Sequence, residues 1–215
     1  MRAGLTVGLA GTGLAAVTTA AAWHWLARRP LPKQKGEIAV AGLDAPVSVE
    51  RDRWGVPHIA AGNARDLWFA EGFCHGQDRL WQMDFYRRVV SGRVSEMAGP
   101  EGLAIDRLML TLGIRRTAER EEEALDPELR ALLERFCEGV NAAAADAKAM
   151  PFEMQLLRLG WKPWRPADIL SLGKLLAFGL STNWERELLP MAAMAMESHL
   201  EKLESEGRLP AELLP

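Results

Sequence analysis

The sequence predicts an α+β fold that is mainly helical. Three observations support this class. Several segments carry apolar residues at helical spacing, one pair of short β-branched segments is separated by a turn, and strands do not alternate with helices. A doubly wound parallel sheet is therefore not expected. With 215 residues, 48% of them hydrophobic and 26% charged, the chain is long enough to form one hydrophobic core.

Residues 1–29 are predicted to be a signal peptide or a membrane anchor. No Asp, Glu, Lys or Arg occurs from Ala3 to Ala27, and a helix of that length would span roughly 37 Å, more than the hydrocarbon core of a bilayer. The three alanines at 20–22 form a small-residue cleavage site, so both fates are open. If the leader is kept, residues 3–27 would anchor the protein in a membrane.

The charge of the chain is unevenly distributed. Residues 1–35 contain five basic and no acidic residues, so the net charge of −3 for the whole chain becomes −8 for the remainder. An acidic remainder argues against nucleic-acid binding, which requires a basic surface. The position of the basic residues after the apolar run would, by the positive-inside rule, hold the following domain in the cytoplasm.

Residues 30–46 are predicted to be a spacer because they contain three prolines and two glycines, with a short strand at Glu37–Val40. The folded region is expected to occupy residues 47–215. It begins with Val47–Arg51 and Val56–Ala60, two β-branched segments around a turn that favours a hairpin.

Asn63 is predicted to cap a long, largely buried helix. Gly72 and Gly76 would let a neighbouring element approach this helix closely. The residues that share its buried face by spacing are Leu67, Ala70, Cys74, Gln77, Trp81 and Asp84.

The next segment, Ser91–Asp106, is rich in glycine and is expected to be an irregular loop over the core. Asp126 then caps a second helix that has Pro127 at its first position. The predicted apolar stripe of this helix consists of Leu129, Leu132, Leu133, Phe136 and Val140. Three further helices are predicted at Pro151–Leu159, from near Asp168, and at Glu187–Glu206.

Charged residues of the first long helix are expected to hold it in place through ion pairs rather than to perform chemistry. They are Asp78, Arg79, Asp84, Arg87 and Arg88, and Arg93 with Glu96 would extend the same network.

Several catalytic and metal-binding motifs are absent from the sequence, including Gly-x-Ser-x-Gly, His-Glu-x-x-His and a Walker loop. His58 and His75 are expected to be structural, since no acidic residue is placed beside either for metal ligation. Cys74 and Cys137 are expected to be buried thiols, although one bridge between them would be compatible with an oxidising compartment.

Seven strings in order resemble the α chain of penicillin acylases, and together they span most of the chain after Val47. They are Arg51-Asp52-Arg53-Trp54-Gly55-Val56-Pro57-His58-Ile59, Asp66-Leu67-Trp68-Phe69-Ala70-Glu71-Gly72, Gln77-Asp78-Arg79-Leu80-Trp81-Gln82-Met83-Asp84 with Gly92-Arg93-Val94-Ser95-Glu96, Gly139-Val140-Asn141-Ala142, Pro163-Trp164-Arg165-Pro166-Ala167-Asp168, and Asn183-Trp184-Glu185-Arg186-Glu187-Leu188.

This resemblance implies an exported precursor that cuts itself into an α chain and a longer β chain, which fold together as an αββα sandwich of the N-terminal-nucleophile hydrolases. The nucleophile would be the first serine of the β chain, so no catalytic residue is expected in this chain. Ser181 lies in a similar Ser-Thr-Asn-Trp string, but a cut before it would leave only 35 residues.

The resemblance also implies three site residues here. Glu187 would be the one α-chain ligand of a structural calcium shared with the β chain, and Asn183 and Trp184 would lie beside the acyl pocket. The reaction would be hydrolysis of a linear amide, with β-lactam side chains, acyl-homoserine lactones and lipopeptides as candidate substrates. The protein would be periplasmic, extracellular or membrane-anchored, and for this expectation the resemblance outweighs the positive-inside rule. The alternative is an inactive relic or an anchored interaction protein that has kept only this part of the fold.

Overall fold

The computed structural model describes residues 19, 21, 23–181 and 184–208, with the backbone alone at 184 and 185. The chain divides into two compact units, Met1–Gly173 and Lys174–Pro215. The first unit begins with a π-helical turn at His24–Arg28. The remaining elements of the described chain are β1 (Ser48–Arg51), β2 (Pro57–Ala60), α1 (Ala64–Val90), α2 (Ser95–Ala98), a 3-10 turn (Gly99–Gly102), α3 (Leu103–Leu112), α4 (Ile114–Glu123), α5 (Pro127–Asp146), α6 (Phe152–Leu156), α7 (Pro166–Leu180) and α8 (Trp184–Ser205). The prediction of a mainly helical chain with a small sheet is confirmed.

The predicted hairpin is present, and it is shorter by one residue in each strand. β1 and β2 pair antiparallel, with Val49 opposite Ile59. Asp52 organises the turn, because its Oδ1 accepts the backbone N–H groups of Trp54 at 2.8 Å and of Val56 at 3.0 Å. Gly55 occupies a left-handed conformation with φ of 80°, which a side chain would disfavour.

Helix α1 begins as the sequence predicts. Asn63 is its cap, and the Asn63 side chain accepts the backbone N–H of Asp66 at 2.8 Å. The helix is kinked at Arg79, whose φ of −134° and ψ of 17° lie outside the helical region. This kink was not predicted, since neither proline nor glycine occupies the position.

The core forms where α1 crosses α5, and glycines on both helices set the closeness of that crossing. A Cβ atom at Gly72 would overlap the carbonyl oxygen of Phe136, and a Cβ atom at Gly139 would overlap the carbonyl oxygen of Phe69. At Gly76 it would lie 2.7 Å from the Cβ of Ala143. The backbones of the two helices are therefore in direct contact. Around them lies a buried cluster of Leu80, Met83, Cys137, Val140, Ala144 and Trp164.

Two predictions on local structure were wrong. Ser91–Asp106 is mostly helical, containing α2, the 3-10 turn and the start of α3. The buried carboxylate of Asp106 accepts the backbone N–H groups of Val94 at 2.6 Å and Ser95 at 3.0 Å. These hydrogen bonds join the start of α2 to α3 and hold the glycine-rich segment in one conformation. Glu37–Val40 is not a strand, and the residues Gly42 and Asp44 that follow it form hydrogen bonds with side chains of α5 and α1.

The predicted faces of α1 and α5 are right at the crossing and wrong at their first turns. Leu67 and Leu129 are both exposed, because each lies in the turn before the helices come into contact. The later helices occur where they were predicted, with ends shifted by one to three residues.

The predicted leader, residues 1–29, lies largely outside the described residues. Within the described part of the chain, no helix has both the length and the apolar character required to cross a bilayer.

We predict that replacing Gly139 by alanine lowers the free energy of unfolding by about 3 kcal/mol, because the new methyl group would force the two helices apart. Gly173→Ala is the matched control. Gly173 also lies in a helix, but a Cβ atom there would meet no atom within 4 Å. The control should be neutral or stabilising by up to about 1 kcal/mol. Denaturant unfolding of the purified protein compares the two variants, and equal stabilities would contradict the role of the crossing.

Candidate functional site

Of the three site residues taken from the family resemblance, Trp184 and Glu187 lie in the first turn of α8. Glu187 is exposed in the first turn of this helix, and Trp184 is its first residue, whereas Asn183 lies outside the described residues. No group of three or more His, Cys, Asp or Glu side chains that could hold a metal ion occurs in the part of the chain that the structure describes. A calcium ion needs six to eight oxygen ligands, so Glu187 could only be one member of a shared site.

Helix α8 and the end of α7 expose an extended apolar surface, which we call the 176–196 surface. Isolated exposed apolar residues are ordinary, whereas many large ones within a short segment are typical of surfaces that another molecule covers. Several members are methionines, whose flexible side chains adapt to a partner. The 176–196 surface consists of Leu176, Leu180, Leu188, Leu189, Met191, Met194 and Met196.

The two cysteines are not activated nucleophiles. Cys74 and Cys137 are both buried and unpaired, so the thiol prediction is confirmed and no disulfide joins them. Burial raises the pKa of the Cys74 thiol and that of the Cys137 thiol, and acidic side chains near Cys137 act in the same direction. Both groups are therefore neutral thiols at physiological pH.

Neither candidate histidine activates a hydroxyl group. His58 Nε2 lies 3.5 Å from Asp52 Oδ2 on the exposed hairpin, and His75 Nδ1 lies 3.0 Å from the carbonyl oxygen of Glu71. The His75 ring also packs on Phe136. Ser181 is an exposed residue at the end of α7, and its backbone N–H donates to the carbonyl oxygen of Ala177 at 3.0 Å. Neither histidine is therefore placed beside the Ser181 hydroxyl by a hydrogen bond among the described residues.

Most of the charged motif of α1 forms the ion-pair network that the sequence predicts, but Asp78 pairs separately with Arg51 of the hairpin, and Arg79, at the kink, is in no ion pair among the described residues. Asp84 is 1% exposed and accepts hydrogen bonds from Arg87 and from Arg88, the latter at 2.7 Å. Arg88 continues to Glu96, which Arg93 also contacts. The carboxylates and guanidinium groups compensate one another, so these buried charges are tolerated and fix the geometry of the helix.

Two residues that sequence reasoning placed outside this network also belong to it. Asp168 was predicted only as a helix start, yet it accepts a hydrogen bond from Arg115 and the backbone N–H of Arg165, the latter at 2.8 Å. Its Oδ2 lies 3.8 Å from Arg87 Nη1. Sequence spacing could not reveal these pairs, because Asp168 and Arg115 are 53 residues apart.

Two of the resembling strings contact each other through one asparagine. The Asn141 side chain accepts the backbone N–H of Trp164 at 2.7 Å and donates to its carbonyl oxygen at 3.0 Å. Arg87 contacts both Trp161 and Trp164, with its guanidinium carbon 4.8 Å and 5.1 Å from the two ring centres. The two resembling strings therefore pack against each other in the folded chain.

Asp66 is a buried carboxylate whose role the sequence did not reveal. It is fully buried and accepts the backbone N–H groups of Asp44 at 2.9 Å and Ala45 at 3.0 Å, as well as the Asn63 amide at 2.8 Å. These hydrogen bonds, that from Asp44 first, hold the pKa of Asp66 below its usual value. Asp66 thereby fixes the end of the spacer on α1.

A cavity of about 820 Å³ lies between α1, the hairpin and the N-terminal segment. Its polar wall contains Arg51 and Asp78, whose Nη1 and Oδ2 atoms are 2.7 Å apart. The kinked residue Arg79 also lines it. Its apolar wall comes from residues on both sides, among them Leu26, Leu31, Trp81, Phe85 and Phe152.

The sequence profile of the penicillin amidase family matches residues 46–212 of this chain. The chain is 38% identical over 154 residues to penicillin acylase 2 proenzyme from a Pseudomonas species, covering 72% of this chain and 20% of that protein. It is 37% identical over 160 residues to acyl-homoserine lactone acylase QuiP of Pseudomonas aeruginosa, covering 74% of this chain and 19% of that protein. The chain thus spans about a fifth of the length of these relatives.

Among solved structures, the chain is similar to a chain of the thermostable penicillin G acylase from Alcaligenes faecalis. The TM-score is 0.57 with 26% sequence identity, and the match covers 76% of this chain and 86% of the other. The two polypeptides are therefore close to each other in length.

We predict that Asp66→Asn destabilises the protein most at neutral pH, because an amide group would direct N–H donors toward the N–H groups that the carboxylate now accepts. The folded pKa of Asp66 is depressed, so its contribution is present above the ordinary value of 3.8 and is lost as pH falls through the folded pKa. The thermal midpoints of wild type and variant should therefore differ at pH 5–7 and converge below about pH 4.

The control for this comparison is Asp146→Asn, which changes an exposed carboxylate at the end of α5. A midpoint difference for Asp66→Asn that is constant with pH, or that equals the difference for Asp146→Asn, would contradict the assigned role.

Proposed function

Because this chain belongs to the penicillin amidase family, we propose that it is the N-terminal part of an amidohydrolase that cleaves linear amide bonds. The observation that carries the proposal is the family match over residues 46–212, in a chain that spans only a fifth of its relatives. The described residues provide no activated nucleophile, so the proposed enzyme requires a second part.

The proposed partner is a longer β chain from the same precursor. The 176–196 surface supports this, because its large exposed apolar side chains are of the kind that an obligate partner covers. Two further observations agree with it. One relative is named a proenzyme, and the solved chain that matches is close to this one in length.

The proposed chemistry follows the family. The hydroxyl oxygen of the N-terminal serine of the β chain would attack the amide carbonyl carbon, and the free amine of that serine would take the hydroxyl proton. Donors of the β chain would stabilise the oxyanion. The amine product leaves with that proton, and water then hydrolyses the ester to release the acid. Asn183 and Trp184 of this chain would lie beside the acyl pocket.

The substrate class that we propose is an N-acyl compound. The relatives are named for penicillin and for acyl-homoserine lactones, which share an acyl group joined to an amine by a linear amide. β-Lactam side chains, acyl-homoserine lactones and lipopeptides all satisfy this description. The proposed location is the periplasm, the outside of the cell or the membrane surface, with residues 3–27 as leader or anchor.

Calcium is proposed as a structural ion shared between the two chains. Glu187 fits one position of such a site, because it is an exposed carboxylate at the start of a helix and calcium prefers charged oxygen ligands. The other ligands would come from the β chain, since no metal-binding group of three is found among the described side chains. When bound, the ion would hold the two chains together.

We predict that residues 1–215 produced alone do not hydrolyse chromogenic acyl amides, whereas the product of the complete reading frame does. Ser181→Ala should leave kcat/KM of that product unchanged within about twofold, because Ser181 is an internal residue and the proposed nucleophile is the N-terminal serine of the β chain. Turnover by the isolated chain that Ser181→Ala abolishes would contradict the proposal. A complete reading frame that encodes no further domain would favour the relic instead.

We predict that Glu187→Gln lowers the calcium content of the assembled protein and the fraction that is correctly processed, because the amide keeps an oxygen but loses its charge. The kcat of each correctly processed molecule should change by less than about threefold. Bound calcium is measured by elemental analysis and processing by gel electrophoresis.

The matched control is Glu197→Gln, which removes an equal charge from an exposed position of the same helix. If both variants retain full calcium, Glu187 is not a ligand. A large loss of kcat with normal processing would instead indicate a role in proton transfer.

A further inference from the structure

The described N-terminal segment, residues 23–35, combines exposed aromatic and basic side chains. Trp23 is 64% exposed and Trp25 is 56% exposed, on either side of the start of the π-helical turn. Leu26 and Leu31 are also exposed. Large aromatic side chains are usually buried, so two adjacent exposed tryptophans mark a surface that meets something other than bulk water.

The charge of this segment has one sign. Residues 1–36 contain no acidic residue, while the segment itself carries Arg28, Arg29, Lys33 and Lys35. Arg28, Lys33 and Lys35 are exposed. The rest of the chain is acidic, so the basic charge is concentrated at this end. A partner of this segment must therefore be anionic and must also accept indole rings.

One cation and one aromatic ring form a single unit. The guanidinium carbon of Arg29 lies 4.1 Å from the centre of the Trp25 ring. In such a stack the indole presents its apolar face and edge, while the guanidinium keeps N–H donors that bind phosphate oxygens. Tryptophan and arginine side by side have the chemistry of the boundary between lipid headgroups and acyl chains.

We propose that residues 23–35 bind the surface of an anionic lipid bilayer and hold the folded unit against it. The sequence before the segment supports a lipid partner rather than a soluble anion, because residues 3–22 carry no charged side chain and lead directly into it. A cut at the alanines 20–22 would leave the segment at the new N-terminus, and an uncut leader would carry it to the bilayer surface.

The segment is attached to the first unit, so lipid binding would orient that unit. Gln77 of α1 donates a hydrogen bond to the carbonyl oxygen of Lys33 at 3.2 Å. Leu26 and Leu31 line the cavity described above, together with side chains of α1 and α6. Pro30 and Pro32 limit the conformations between the tryptophans and this attachment point. The amidase proposal is not required for this inference.

The test measures quenching of tryptophan fluorescence by vesicles of phosphatidylcholine and phosphatidylglycerol that carry bromine on their acyl chains. It uses the product of the complete reading frame, whether or not the leader has been cut. Wild-type fluorescence should be quenched, and the double variant W23S/W25S should lose more than half of that quenching. Wild-type quenching should be stronger with phosphatidylglycerol than without it, and this difference in quenching should disappear in the variant R28Q/R29Q.

Trp54→Ser is the matched control, because Trp54 is 76% exposed and is also stacked on an arginine, with Arg53 4.8 Å from its ring. This variant should be quenched as strongly as wild type. Equal quenching of W23S/W25S and wild type would overturn the proposal, since another part of the protein would then cover these tryptophans. Equal losses in W23S/W25S and in Trp54→Ser would also overturn it.

Discussion

The structure depends on the backbone contact between α1 and α5. Gly72 and Gly139 each face a carbonyl oxygen of the opposite helix at a distance that leaves no room for a side chain. This approach brings Leu80 and Val140 into one cluster and fixes the rotation of each helix about its own axis. The contacts that Arg87 and Arg88 make with other elements depend on that rotation.

The buried ion pairs extend this arrangement to the rest of the first unit. Asp84 and Asp168 are nearly inaccessible to solvent, and arginines from α1 and α4 compensate their charge. An ion pair of this kind adds little net stability, because desolvation of both groups offsets their attraction. It does impose geometry, since a misplaced helix would leave a buried charge without a partner. The charged residues of these family motifs therefore hold the fold of the first unit in place.

Local features of the chain could be predicted from the sequence, and long-range ones could not. The hairpin, the Asn63 cap and the Asp126 cap follow from short patterns whose physics is contained within a few residues. The glycine-rich segment after α1 was misread as a loop, because its helices depend on Asp106, which is 11 residues from Ser95. Helix α4 was not predicted at all, since its ten residues are mostly charged and only Ile114, Ala118 and Glu122 are buried. The sites at Asn183, Trp184 and Glu187 rest on family resemblance and remain proposals.

The central claim is that this chain is one part of a two-part amidase whose nucleophile lies on the other part. The most direct measurement treats the purified product of the complete reading frame with a sulfonyl fluoride that labels activated serine hydroxyls, followed by intact-mass spectrometry of each polypeptide. The account predicts that this chain keeps its unlabelled mass, while a longer polypeptide that co-purifies with it gains one sulfonyl group at its N-terminal serine. A sulfonyl group on this chain, or its purification without any second polypeptide, would contradict the account.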